Sequence, residues 1–280
     1  MPYARRGHAR RAGLLALCLW LGSAAADDPP APALSPTITG DAFEYVIQPG
    51  DSLARIGARY GVDAVVLARE NGIDYHGYIH PGQRLRLTNR HIVPERLSEG
   101  ILINLPQRML FLFRGGELRA SYPVGLGHPT WRTPAGDFTV RTLEINKAWI
   151  VPQSIQEEMR REGQIVQAHV PPGPDNPLGK YWLGLSLPGY GIHSTIAPQS
   201  VYQFQSHGCI RLHPDDIGAM FAEVRSGMLV RIIYQTTLLA ACPTGGCFSK
   251  CIRMCIPGAA TRSPRCGGSV STSTNNGCAR

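Results

Sequence analysis

Cysteine is almost missing from the body of this 280-residue chain: between Cys18 and Cys242 the only one is Cys209. Acidic residues are missing from both ends. Residues 1–26 carry Arg5, Arg6, Arg10 and Arg11 with no acid, and residues 241–280 carry Lys250, Arg253, Arg262, Arg265 and Arg280 with no acid. Those nine cations account for more than the whole formal charge of +8, so residues 27–240 sum to −1. A nearly neutral body offers no basic face for a phosphate backbone, and nucleic acid is excluded as a partner. The basic tail suits an anionic surface such as a membrane or a cell-wall polymer. No internal repeat is present. Nor is there an apolar run of the roughly twenty residues needed to span a bilayer.

The N-terminus reads as an export signal over residues 1–26. The four arginines form a positive region, Leu14–Gly22 is a short apolar run, and Ala24-Ala25-Ala26 offers a small-residue cleavage site. A retained anchor is the alternative; a lipid anchor at Cys18 is disfavoured by bulky Leu17. The expectation is an exported protein in an oxidising compartment, where cysteines tend to pair. After loss of Cys18, six cysteines remain in the tail (Cys242, Cys247, Cys251, Cys255, Cys266, Cys278) and one in the body. Six can close three bridges. The odd Cys209 then implies either an intermolecular bridge or a reactive thiol.

Composition divides the rest. Residues 27–42 are rich in proline and small residues and read as an extended linker. Residues 43–88 read as strand, helix, helix, strand. Asp51 or Ser52 is a helix N-cap, Leu53, Ile56 and Tyr60 fall on one helical face, Asp63 caps a second helix, and Leu85 and Leu87 alternate with Arg84 and Arg86 in a closing strand. Residues 89–99 are a polar connector broken by Pro94. Residues 100–235 are dominated by strand patterns: ILINL and MLFLF around a Pro106-Gln107-Arg108 turn, then Leu118–Val124, Gly136–Val140, Trp182–Leu187 and Leu229–Tyr234. Helices are expected at Ser154–Gly163 and from Asp215 or Asp216 to about Val224. Residues 236–280, poor in large apolar residues, are read as irregular, either disulfide-linked or disordered. Zinc at Cys247, Cys251 and Cys255 is the lesser alternative, since the spacing is not paired C-x2-C.

Residues 43–88 resemble the LysM module, through YVIQPGDSLARIGARYGV, LARENGI and IHPGQRLRL; Gly57 stands where alanine is usual. The resemblance implies binding to glycan chains that contain N-acetylglucosamine.

The chemistry concentrates in GIHSTIAPQSVYQFQSHGCIRLHPDD, residues 191–216. A thiol is a nucleophile only as thiolate and needs a proton acceptor, for which imidazole is suited. His207, two residues from Cys209, and His193, across a loop, are both candidates. Gly208 allows a tight bend, and the N–H groups of Gly208 and Cys209 are placed to face a developing oxyanion. Asp215 and Asp216 read as helix-capping residues.

This segment, with EGILINLPQRMLFLF, YPVGLG, TPAGDFTV, KAWIVPQSI and VPPGPDNPLGKYWLGLS, resembles the L,D-transpeptidase catalytic domain of the YkuD type. The resemblance implies a mainly β, sandwich- or barrel-like domain with short helices behind the small α+β module. It makes Cys209 the nucleophile and His193 the general base, oriented by the Ser194 carbonyl, with Gly208 at the oxyanion site and His207 supporting it. Ser206, Arg211, Trp149 and Tyr181 are the implied substrate-binding residues, with Arg211 facing a substrate carboxylate. Neither metal nor organic cofactor is implied. The implied partners are peptidoglycan, by its glycan and its tetrapeptide stems, with either an outer-membrane lipoprotein lysine or a second stem (a 3→3 crosslink) as the acceptor, and carbapenem-type β-lactams as inhibitors. The implied location is the periplasm. A wall-binding protein without activity and a purely hydrolytic cysteine enzyme are the rival readings.

Overall fold

The computed structural model describes residues 34–35, 37–241 and 247–251. The segment read as an export signal, Cys18 and most of the cysteine-rich tail lie outside the described residues. No helix among the described residues is long and apolar enough to cross a membrane.

Residues 42–88 form the expected strand-helix-helix-strand unit. The strands Ala42–Val46 and Arg84–Thr88 pair antiparallel and carry the helices Leu53–Tyr60 and Ala64–Glu70. Ser52 is the N-cap of the first helix, accepting from Arg55 N, while Asp51 accepts from the Tyr45 hydroxyl and Gln48 N. The Asp63 carboxylate caps the second, accepting from Val65 N and Val66 N. Ile47, Leu53, Ile56, Leu67, Leu85 and Leu87 form the small core. Gly57 is set by close approach: a Cβ there would lie 2.4 Å from Val62 O, at the turn that ends the helix.

The rest is mainly β. One eight-stranded sheet runs in the order Ile210–Arg211, Gly191–His193, Tyr181–Leu185, Gly136–Ile145, Leu229–Ile233, Gly100–Asn104, Met109–Arg114, Glu117–Pro123. Two pairs are parallel, Gly191–His193 with Ile210–Arg211 and Leu229–Ile233 with Gly100–Asn104; the others are antiparallel. One face gathers Ile101, Ile103, Leu110, Leu112, Val140, Leu183, Ile192, Ile210, Val230 and Ile232 around the helix Pro214–Phe221, which contributes Ile217 and Met220. Leu102, Phe111 and Phe113, facing the other way, are covered by Val93, Leu97 and Tyr202. Alternate residues of one strand thus fill two cores, so Gly100–Arg114 reads as continuous apolar runs.

Trp149–Val170 forms a satellite. The strands Trp149–Ile150 and His169–Val170 pair, and the helix Gln153–Arg161 packs Ile155 and Met159 against Val151 and Val170.

Two segments depart from the sequence reading. The connectors 27–42 and 89–99 pair with each other, Ile38 opposite Ile92 and Thr39 opposite His91. The chain also stays ordered beyond residue 235. Thr237–Ala241 pairs antiparallel with Cys247–Cys251 and parallel with Leu34–Ser35, because alternation places Leu238 and Ala240 against Ile92.

Candidate active site

Sheet register assembles the site. Glu144, Trp182, His193 and Arg211 are successive cross-strand partners, so their side chains stand in one row on one face. The next row on that face is Thr142, Gly184 and Gly191. The same parallel register, continued from Ile192 opposite Ile210, sets Cys209 beside Gly191. Cys209 and His193 are therefore diagonal neighbours on adjacent segments.

The two glycines make room for an indole. A Cβ on Gly191 would lie 2.5 Å from Trp182 Cζ2, and one on Gly184 would lie 3.0 Å from Trp182 Nε1. The indole thus lies over Gly184 and Gly191 of the second row and stacks on His193 with ring centroids 5.8 Å apart at 26°. Lys147 Nζ sits 5.7 Å from the indole centre and is itself paired with Glu144 at 2.7 Å.

His193 is buried. Its Nδ1 donates to Ser194 O at 2.5 Å. A carbonyl only accepts, so Nδ1 carries the proton of the neutral ring and Nε2 keeps its lone pair. Burial, with the nearby Arg211 guanidinium, pushes the imidazole down to about 4, against the weaker pull of the Ser194 and Leu178 carbonyls. Burial raises the Cys209 thiol, while the Gly191 N–H and Arg211 act the other way. At neutral pH the pair rests as neutral thiol and neutral imidazole. The thiol is free and half-buried, and it donates to Gly189 O at 3.7 Å rather than to His193.

The turn before Cys209 is fixed by Ser206, whose hydroxyl donates to Cys209 O at 2.6 Å and accepts from Gly208 N at 3.2 Å. Gly208 has φ 102°, a conformation suited to glycine, and a Cβ there would meet the Tyr190 ring at 2.7 Å. Thr133 Oγ1 donates to Gly208 O and accepts from Gly127 N. Of the two expected oxyanion donors, the Gly208 N–H is thus occupied; among the described residues no hydrogen bond takes up the Cys209 N–H.

His207 points away from the row. Its Nε2 meets Glu158 Oε2 of the satellite helix at 2.5 Å, and its ring lies 5.3 Å from that of Trp131. Trp149 packs into the satellite core. Tyr181 faces the opposite side of the sheet, packing on Phe221 with centroids 4.9 Å apart. The aromatic residue on the site face is its neighbour Trp182, because a strand alternates faces and Trp182, not Tyr181, is registered with His193. Trp182 and Glu158 are absent from the site residues expected from the sequence. The Trp182–Gly184 and Gly191–His193 spacings were readable signals for the first, whereas nothing local marked Glu158.

With this geometry in place, comparison with known proteins is direct. The L,D-transpeptidase catalytic domain, YkuD, matches residues 98–232, and the LysM domain matches residues 45–88. The probable L,D-transpeptidase YcfS of Escherichia coli is 32% identical over 82% of this chain and 73% of its own length. The probable L,D-transpeptidase ErfK/SrfK of Salmonella typhimurium is 32% identical over 71% and 63%. A crystal structure of L,D-transpeptidase 3 from Mycobacterium tuberculosis, in complex with a faropenem-derived adduct, aligns with TM-score 0.39 at 17% identity, over 53% of this chain and 66% of that one. This chain belongs to the L,D-transpeptidase family of the YkuD type. It couples that catalytic domain to an N-terminal LysM domain.

Proposed function

We propose that the protein is a periplasmic L,D-transpeptidase that acts on tetrapeptide stems of peptidoglycan through an acyl-enzyme on Cys209. The observation that carries the reading is the registered row Trp182–His193–Arg211 with Cys209 diagonal to His193. In the reaction, the thiol turns from Gly189 O towards His193, whose Nε2 takes the proton. The sulfur attacks the carbonyl of the third, diamino acid residue at its L-centre. The amide C–N bond breaks, the proton passes to the amine of the departing D-alanine, and a thioester remains. The Cys209 N–H faces the oxyanion. Arg211, with no ion pair among the described residues, is available for a substrate carboxylate. An acceptor amine then attacks the thioester. Transfer to a terminal lysine of an outer-membrane lipoprotein or to a second stem, giving a 3→3 crosslink, both fit this chemistry. The LysM domain holds the enzyme on glycan and raises the local concentration of stems.

Incubation of the full chain with a tetrapeptide muropeptide tests the reading. Release of free D-alanine together with a crosslinked dimer or lysine adduct is the expected result. D-Alanine alone identifies a hydrolase, and no release identifies a wall-binding protein.

A further inference from the structure

The segment that delivers Cys209 is bracketed on both sides by the LysM domain. After the cysteine, Asp216 in the first turn of the helix Pro214–Phe221 pairs with Arg59 of the first LysM helix at 2.6 Å. Before it, the connection runs through Arg108. This residue lies in the turn between Gly100–Asn104 and Met109–Arg114, with φ 55°. Its Nη2 faces Asp63 Oδ2 of LysM at 3.5 Å, its Nη1 donates to Tyr202 O at 2.9 Å, and its guanidinium lies 4.0 Å over the Tyr202 ring and 5.4 Å from that of Phe204.

Tyr202 is buried and has φ 62°. Among the described residues only Arg108, Asn146 and Tyr202 are non-glycine residues with positive φ, and two of these three stack on each other. Such a conformation is strained in a non-glycine residue and persists only where surrounding contacts enforce it. The contacts lead onwards to the site. Phe204 and Ser206 pair with Leu126 and Gly127, and Ser206 sets the turn at Cys209. Gly125, against which Ser200 O and Val201 pack, exchanges two 2.8 Å backbone bonds with Arg211.

We infer that Arg108 is a positioning residue, which ties the LysM domain to the 198–206 loop and so sets the placement of Cys209. LysM is on this account a structural part of the catalytic site as well as an anchor on the wall. The inference concerns the geometry of a thiol and stands whether or not the substrate is peptidoglycan.

The test is the alkylation rate of Cys209 by iodoacetamide in the full chain, followed on the Cys209 peptide by mass spectrometry. Alkylation by a free reagent follows the ionisation and accessibility of the thiol, both set by where the sulfur sits; loss of the tie at Arg108 is expected to shift the Cys209 rate by about tenfold. Arg108→Met is the full loss. Asp63→Asn removes the charge but keeps a helix cap, and is expected to shift the rate in the same direction by less. The two together are expected to be non-additive, and Arg108→Lys to restore part of the wild-type rate, since it keeps the charge but not the planar stack. A wild-type rate in Arg108→Met, or strict additivity with Asp63→Asn, overturns the inference. Should Arg108→Met fail to fold, wild-type rates in both Asp63→Asn and Arg108→Lys overturn it, and a shift in either supports it. Muropeptide turnover is not needed for any of these outcomes.

Discussion

Trp182 stacks on His193, ring on ring, from the neighbouring strand, and its indole also covers Gly191 beside Cys209. One side chain thereby walls the imidazole and covers the glycine in register with Cys209. Trp182→Ala opens that wall to water and frees the imidazole to rotate. The expected outcome is a loss of roughly ten- to a hundredfold in turnover with the fold retained. Gly191→Ala tests the same contact from beneath, since the added methyl would lie 2.5 Å from the indole. Turnover with circular dichroism as the folding control checks both variants.

Buried and neutral, His193 makes stability depend on pH. Its folded value of about 4 lies below the ordinary 6.5, so between these two the unfolded chain binds more protons than the folded one. Stability therefore falls as pH drops from about 6.5 to about 4 and is flat for this group on either side. The contribution is on the order of 3 kcal/mol. Thermal unfolding from pH 4 to 8 is expected to show this slope in the wild type and a reduced slope in His193→Gln. Equal slopes would contradict the assignment.

Glu158 meets His207 through side chains that are each about one third exposed. A single polar contact at this exposure contributes about 1 kcal/mol. Glu158→Gln is accordingly expected to leave the unfolding midpoint nearly unchanged, and to make the satellite helix Gln153–Arg161 more susceptible to limited proteolysis, as its tie to the 206–209 turn weakens. Unaltered cleavage within 153–164 would show that the pair does not hold the satellite.

The LysM unit was legible in the sequence because its signals are local: caps at Ser52 and Asp63, helical spacing at Leu53, Ile56 and Tyr60, and alternation at Leu85 and Leu87. Cys209 and His193 were legible from residue type and from resemblance. What was hidden depends on pairing between distant segments. Trp182 and Tyr181 are adjacent and both aromatic, and only register with His193 decides which faces the site. The Gly208 N–H looked available until Ser206 was seen to accept from it. Leu238 and Ala240 looked like the start of an irregular tail, since Ile92, which covers them, lies far away in sequence.

At neutral pH the thiol and imidazole rest uncharged, so Cys209 is not expected to behave as a preformed thiolate. Its alkylation by iodoacetamide should keep rising with pH above neutrality, following the burial-raised thiol. A plateau below pH 7 would indicate a stable ion pair and contradict this resting state.

On the proposed mechanism the sulfur of Cys209 carries the acyl group. This is tested most directly by the intact mass of the full chain after brief exposure to a carbapenem, followed by mapping of the modified peptide. One covalent adduct is expected, on the peptide containing Cys209, with none in Cys209→Ala. An adduct that persists in Cys209→Ala, or a folded wild-type protein that takes up none, would contradict it.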